Sequence, residues 1–260
     1  MSDFELNYAL DGISGRPAVL LGGSLGTTLA MWQPQLPALS ERFRVIRYDH
    51  RGHGGSPVMP GPYTIDELGS DVLAMLDRLE VERVFYCGLS LGGMIGMWLA
   101  SHAPARIQRL VLVCTSAYLP PAEAWTQRAA TVREAGSPEA VADAVIARWF
   151  TEPYVRERPD VVARHRAMIA DTSAEGYAGC CEAIAIMDLR PGLPRIVAPT
   201  LVIGAEQDPA TPPEHVRTIA AGIPGARLEI LDPAAHLSSV ERSVEVTQLI
   251  VDHLKAGGRP

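Results

Sequence analysis

The run Val84-Phe85-Tyr86-Cys87-Gly88-Leu89-Ser90-Leu91-Gly92-Gly93 constrains the fold more than any other stretch. An apolar, β-prone segment stops at Gly-Leu-Ser-Leu-Gly and passes into a helix-like segment, Met94 to Ser101. Strand, sharp turn and helix are the setting of the G-x-S-x-G nucleophile elbow. The turn forces its serine into strained backbone angles, and side chains at Gly88 or Gly92 would collide with neighbouring backbone. The helix N-terminus behind the serine aims free N–H groups and a partial positive charge at the site, so an oxyanion can be held there. Ser90 is the candidate nucleophile. The plainer reading of the same residues is a glycine-rich strand-to-helix turn without chemistry.

Around the elbow, short apolar runs alternate with helical patterns, which indicates an α/β chain with a mainly parallel sheet covered on both faces. Strands are expected at Ala18–Gly22, Arg44–Tyr48, Val84–Leu89, 110–115, Thr200–Ala205 and Arg227–Leu231, with 4–10 as an added edge strand. The clearest helix is 65–80. Thr64 and Glu67 form a capping box, and Ile65, Leu68, Val72, Leu76 and Leu79 recur at helical spacing. Between Ala117 and Val197 the alternation fails and consecutive helices are expected. One opens at Pro121, one follows the Ser137-Pro138 N-cap through Phe150, and two more cover 159–170 and 174–187. The division is therefore a core of residues 1–117 and 197–260, with 118–196 as a helical cap inserted after the sixth strand. Such a cap lies over the carboxyl ends of the strands, where open α/β sheets bind ligands. The final residues, 257–260, read as a frayed tail.

The 260 residues suffice for one large α/β domain with an insertion. The net charge of −7 argues against nucleic acid or an anionic membrane as partner, and means that an anionic substrate needs a local cationic pocket. No run has the length of a membrane span, and Met-Ser-Asp-Phe-Glu lacks the features of a signal peptide, so a cytoplasmic location is expected. The four cysteines include no Cys-x-x-Cys pair, so neither a zinc site nor a redox motif is supported.

A serine hydroxyl needs a base, and the base needs a carboxylate to orient it. Around this elbow the chain order is Ser, then Asp or Glu, then His. Asp208 stands just beyond the strand-like Thr200–Ala205, and is preferred to Glu206 and Asp232 by position. His236 follows the last strand in a loop of small residues before a helix. His50 and His53 come too early and read as structural loop residues, although His53 could line the site. His102, His165, His215 and His253 read as solvated positions on helix faces or ends. The oxyanion hole should use the backbone N–H of Leu91 and one from the loop Gly22-Gly23-Ser24-Leu25-Gly26, where Leu25 is the choice. That loop lacks the Lys-Ser/Thr of a phosphate loop and the G-x-G-x-x-G spacing.

The stretches Gly23-Ser24-Leu25-Gly26-Thr27-Thr28-Leu29-Ala30-Met31-Trp32, Tyr48-Asp49-His50-Arg51-Gly52-His53-Gly54-Gly55-Ser56-Pro57 and Gly88-Leu89-Ser90-Leu91-Gly92-Gly93-Met94 resemble the 3-oxoadipate enol-lactonases. Trp125, Arg133 and Arg148-Trp149-Phe150 in the cap are similar too, as are Asp208-Pro209-Ala210-Thr211-Pro212 and Ala235-His236-Leu237-Ser238. The resemblance spans essentially the whole chain. Its elbow is common to the wider α/β-hydrolase superfamily, whereas the Ser-Leu-Gly-Thr and Arg-Trp-Phe stretches discriminate more. Gly23 departs from the polar residue, often Asn, expected there. The resemblance implies an α/β-hydrolase fold and a bacterial enzyme of the β-ketoadipate pathway. Such an enzyme opens a small anionic lactone with Ser90, His236 and Asp208, without metal or organic cofactor. The substrate carboxylate must be neutralised in a water-poor pocket. Arg133 is the candidate, with Trp125 eight residues earlier on nearly the same helical face shaping the pocket, and Arg128 or Arg148 as alternatives. A broad carboxylesterase or a cofactor-free perhydrolase would use the same three residues. A ligand-binding module that kept the fold without chemistry is a further alternative, against which the intact Ser90, Asp208 and His236 speak. The oligomeric state is not fixed by the sequence.

Overall fold

The computed structural model describes residues 4–255; the tail at 257–260 lies outside them. The strands are β1 (Tyr8–Gly12), β2 (Ala18–Gly22), β3 (Arg44–Tyr48), β4 (Val84–Leu89), β5 (Ile107–Val113), β6 (Thr200–Ala205) and β7 (Arg227–Leu231). They form one sheet in the order β1-β3-β2-β4-β5-β6-β7. Every neighbouring pair is parallel except β1 with β3. Parallel neighbours need long crossovers, and helices on both faces explain why all six residues of β6 are buried. The helices of the core are α1 (Leu36–Ser40), α2 (Ile65–Arg78) and α3 (Leu91–His102).

The ends of three elements depart from expectation, each for a local reason. The edge strand begins at Tyr8, not at residue 4, because Asn7 is taken up elsewhere. Its N–H donates to Ser56 Oγ at 2.8 Å and its side-chain amide to Asp49 at 2.7 Å. Helix α2 starts as expected, with Thr64 and Glu67 capping each other, but stops at Arg78 because Glu80 adopts a left-handed φ of 54°. Strand β5 starts earlier and ends earlier than 110–115. It stops where Cys114 takes a φ of 40°.

Between β5 and β6 the chain is wholly helical: α4 (Ala122–Ala135), α5 (Glu139–Trp149), α6 (Glu152–Glu157), α7 (Pro159–Ala170) and α8 (Ala174–Ile186), then a 3-10 turn at Arg190–Arg195. Among the described residues this insertion follows the fifth strand, not a sixth. Ser137 still serves α5, since its hydroxyl accepts from the Glu139 N–H at 3.1 Å. Helix α6 was not anticipated; Thr151 caps it and Pro153 sits in its first turn. The chain closes with α9 (Pro213–Gly222), α10 (Ser238–Glu241) and α11 (Ser243–Lys255). Among the described residues no helix is long and apolar enough to cross a membrane.

This topology decides where chemistry can gather. Because β2, β3, β4, β6 and β7 run the same way, the loops leaving them open on one edge of the sheet. Those loops carry residues 23–26, residues 49–57, Ser90, Asp208 and His236.

Candidate active site

Ser90 sits between β4 and α3 at φ 55° and ψ −114°, well outside the regions open to an unstrained L-residue. Neighbouring bonds hold it there. Its N–H donates to the Val113 carbonyl at 3.0 Å, and its carbonyl accepts from the Met94 N–H and from the Thr115 hydroxyl, at 3.0 and 2.7 Å. A Cβ at Gly88 would lie 2.2 Å from the Gly92 carbonyl oxygen, and one at Gly92 2.3 Å from that of Gly22. Only glycine lets the turn close this tightly.

Asp208 and His236 come together from the loops after β6 and β7. His236 Nδ1 lies 2.8 Å from Asp208 Oδ2, with both residues buried. The carboxylate faces Nδ1, so that nitrogen donates and Nε2 is left as the basic one in the neutral ring. Asp208 is further held by the N–H groups of Ala210 and Thr211, at 2.8 and 3.0 Å, and by the Thr211 hydroxyl at 2.7 Å. Burial pushes its carboxyl up, but the His236 charge and these hydrogen bonds outweigh that and hold it below the usual range. Sequence reasoning missed Thr211, although a threonine three residues after an aspartate is a signal for such a turn. The rivals fall away: Glu206 is exposed, and Asp232 is an exposed residue that meets Gln207.

The loop after β2 is built by the two early histidines. His50 Nε2 donates to the Gly23 carbonyl at 2.8 Å. The Gly26 N–H donates to His53 Nε2 at 3.0 Å, while His53 Nδ1 donates to the Arg51 carbonyl at 3.0 Å. Burial lowers both rings to a pKa of about 4, so both are neutral in this role. Asp49 completes the scaffold by accepting from the Leu29 N–H at 2.6 Å and the Gly55 N–H at 3.0 Å. Among the described residues the N–H groups of Leu25 and Leu91 have no acceptor within the protein. A Cβ at Gly23 would come 2.6 Å from the Thr27 hydroxyl, which here donates to the Ser24 carbonyl. Two other histidines prove buried instead of solvated. His165 and His253 donate to the Val161 and Pro199 carbonyls at 2.8 and 3.1 Å.

Ser90, His236, Leu25 and Thr211 line one cleft, closed on its far side by Trp125, Arg128, Arg148, Trp149 and Tyr177 of the insertion. Arg133 is not in this wall, which corrects the sequence expectation. Its guanidinium is held by Glu175 at 2.8 Å and by Glu182, both on α8. The hydrogen bonds it donates to Glu182 and Glu175 push its pKa further up. Two carboxylates already claim its charge, so it has none to offer a substrate. The alternatives lie where it does not. Arg128 stacks 4.6 Å above the Trp125 ring, whose N–H donates to the Leu119 carbonyl at 3.1 Å. Arg148 is lowered by burial and by the adjacent Arg128. Neither forms an ion pair with an acidic side chain among the described residues. Both are half-buried in the cleft wall, and guanidiniums without an ion-pair partner suit an anion. No cluster of His, Cys, Asp and Glu among the described residues is grouped to hold a metal ion.

A mainly parallel sheet, a strained serine at its central strand and an Asp–His pair at the same edge define a class that sequence comparison bears out. The model of the alpha/beta hydrolase fold family matches residues 17–243, and the chain belongs to that family. Within it the chain is similar to 3-oxoadipate enol-lactonase 2 of Acinetobacter baylyi, at 44% identity over 92% of this chain and 89% of the relative. It is also similar to the solved enol-lactonase of Burkholderia xenovorans, at 46% identity over 96% of each chain with a TM-score of 0.94. A solved hydrolase from Pseudomonas aeruginosa is 48% identical, covering 96% of this chain and 94% of that one, with a TM-score of 0.93.

Proposed function

We propose that the chain hydrolyses 3-oxoadipate enol-lactone to 3-oxoadipate, as a step of the β-ketoadipate route of aromatic degradation. The observation that carries the reading is one cleft holding Ser90 and His236 on its core side and two uncompensated arginines, Arg128 and Arg148, on its insertion side. The enol-lactonase relatives support the choice of lactone. In this reading residues 118–196 act as a lid that supplies the substrate's counter-charge.

Ser90 Oγ adds to the ring carbonyl carbon while His236 Nε2 takes its proton, and Asp208 steadies the resulting imidazolium. The Leu25 and Leu91 N–H groups hold the oxyanion. Collapse breaks the ring C–O bond, and the enol oxygen departs with the proton from His236. The enol stays tethered to the acyl group, so religation competes until it tautomerises to the more stable ketone. Water, activated by His236, then cleaves the acyl-enzyme and frees the product with Ser90 restored. Arg128 and Arg148 hold the substrate carboxylate throughout, with Trp125 packing beside it.

The test is loss of enol-lactone absorbance with enzymatically generated substrate. Wild type should clear it rapidly, and Ser90→Ala should be slower by about 10⁴-fold or more. Equal rates would remove Ser90 as nucleophile, and an inactive wild type would remove the substrate.

A further inference from the structure

The backbone on both sides of His236 is held by a second set of bonds, separate from Asp208. The Leu237 N–H donates to the Trp149 carbonyl at 2.9 Å. The Ala235 N–H donates to Glu241 Oε2 at 3.0 Å. The other Glu241 oxygen accepts from the Thr151 N–H at 3.3 Å and from the Thr151 hydroxyl. One carboxylate, at the last residue of α10, therefore grips the residue before His236 and the residue that caps α6. The same junction between α5 and α6 presents Arg148 and Trp149 to the cleft.

We propose that Glu241 is a positioning residue: it locks the loop of the general base onto the α5–α6 junction, so that His236 and the arginine wall are fixed relative to each other. The proposal rests on the Ser90–His236 reading above. The side-chain contacts of the ring, to Asp208 Oδ2 at 2.8 Å and Thr211 Oγ1 at 3.3 Å, both meet Nδ1 and leave the ring free to pivot about that nitrogen. Anchoring the peptides at Ala235 and Leu237 removes this freedom. Charge-assisted acceptors are suited to the task, because one carboxylate satisfies several N–H donors that would otherwise be buried without partners. A displacement of about 1 Å at a catalytic group is enough to cost roughly 100-fold in rate.

The experiment compares wild type, Glu241→Ala, Glu241→Gln and Thr151→Val. Two readouts are used. One is the rate of covalent labelling of Ser90 by a fluorophosphonate, which needs the base but no substrate carboxylate. The other is kcat and KM on α-angelica lactone, a neutral enol-lactone, at a temperature where each variant is folded. Glu241→Ala should lower both labelling rate and kcat about 100-fold with KM within about twofold. Glu241→Gln keeps one acceptor oxygen and should recover to within about tenfold of wild type. If Glu241→Ala does not fold, Thr151→Val serves in its place: it removes one donor to the carboxylate at constant volume and should slow labelling severalfold. Labelling and kcat within twofold of wild type in the folded variants, with only the melting temperature lowered, would overturn the proposal and leave the Ser90 reading intact. A wild type that resists labelling would instead overturn the Ser90 reading itself.

Discussion

The two walls of the cleft are made differently. On the core side, position at the elbow is set by backbone: the Gly88 and Gly92 collisions, the strained φ of Ser90, and the bonds from the Ser90 N–H to Val113 and from the Gly92 N–H to Gly23. On the insertion side, position is set by which side chains on separate helices find each other. Arg133 on α4 is neutralised by two residues of α8, while Arg128 and Arg148 are left facing the cleft. A wall built from backbone is specified by a few adjacent residues. A wall built from side-chain pairing is specified only once the helices are packed.

If the core wall does the chemistry and the insertion wall does the recognition, changes to each should have different signatures. The largest effect belongs to the core. Asp208→Asn should cut kcat by about 10³–10⁴-fold with little change in KM, because the wrong tautomer of His236 faces Ser90. A kcat within tenfold of wild type would break the assignment. Next comes the insertion wall. Arg148→Ala should raise KM for the anionic lactone by about 10–100-fold, since hydrogen bonds to a charged group contribute roughly 1.5–3 kcal/mol, and leave α-angelica lactone unaffected. Steady-state kinetics on both lactones checks this, and equal losses on the two would remove the carboxylate role. Arg133→Ala should leave KM for the anionic lactone within about twofold and lower Tm by a few degrees, through loss of the α4–α8 ion pairs. A large rise in KM would reinstate the residue in the cleft.

The smallest effect is on stability. His50 and His53 have folded pKa values of about 4 against an unfolded value near 6.5. In that window the unfolded chain binds more protons, so their contribution to stability is full above pH 6.5 and declines as pH falls toward 4. His165 and His253 are shifted the same way by burial. Melting temperature measured from pH 7 to 5 should fall, and the His50→Gln, His53→Gln double variant should flatten that slope by roughly half. An unchanged slope would mean that these rings are not neutral in the folded protein.

The same contrast explains what was legible in the sequence. Ser90 and its glycines could be read because the constraint is local, and Asp208 and His236 because each follows an apolar run by a short loop. The strand positions followed from apolar runs that must be buried on both faces. His53 was read as a structural loop residue, as it is, but its partner was not legible because the Gly26 N–H lies 27 positions away. Arg133 was misjudged because helical spacing reports which residues share a face of α4, and says nothing of what α8 sets against that face. The edges of β1, β5 and α2 were lost to single residues, Asn7, Cys114 and Glu80, whose backbone or partners break the pattern.

The most direct test of the account is the ratio of kcat/KM for 3-oxoadipate enol-lactone over α-angelica lactone in the wild type. The two share the reacting ring and differ in the carboxylate. If Ser90 acts beneath an arginine wall, the anionic lactone should be preferred by about 100-fold, in line with roughly 2–3 kcal/mol from the charged contacts. Equal turnover of the two lactones would contradict the account and indicate an esterase indifferent to that charge.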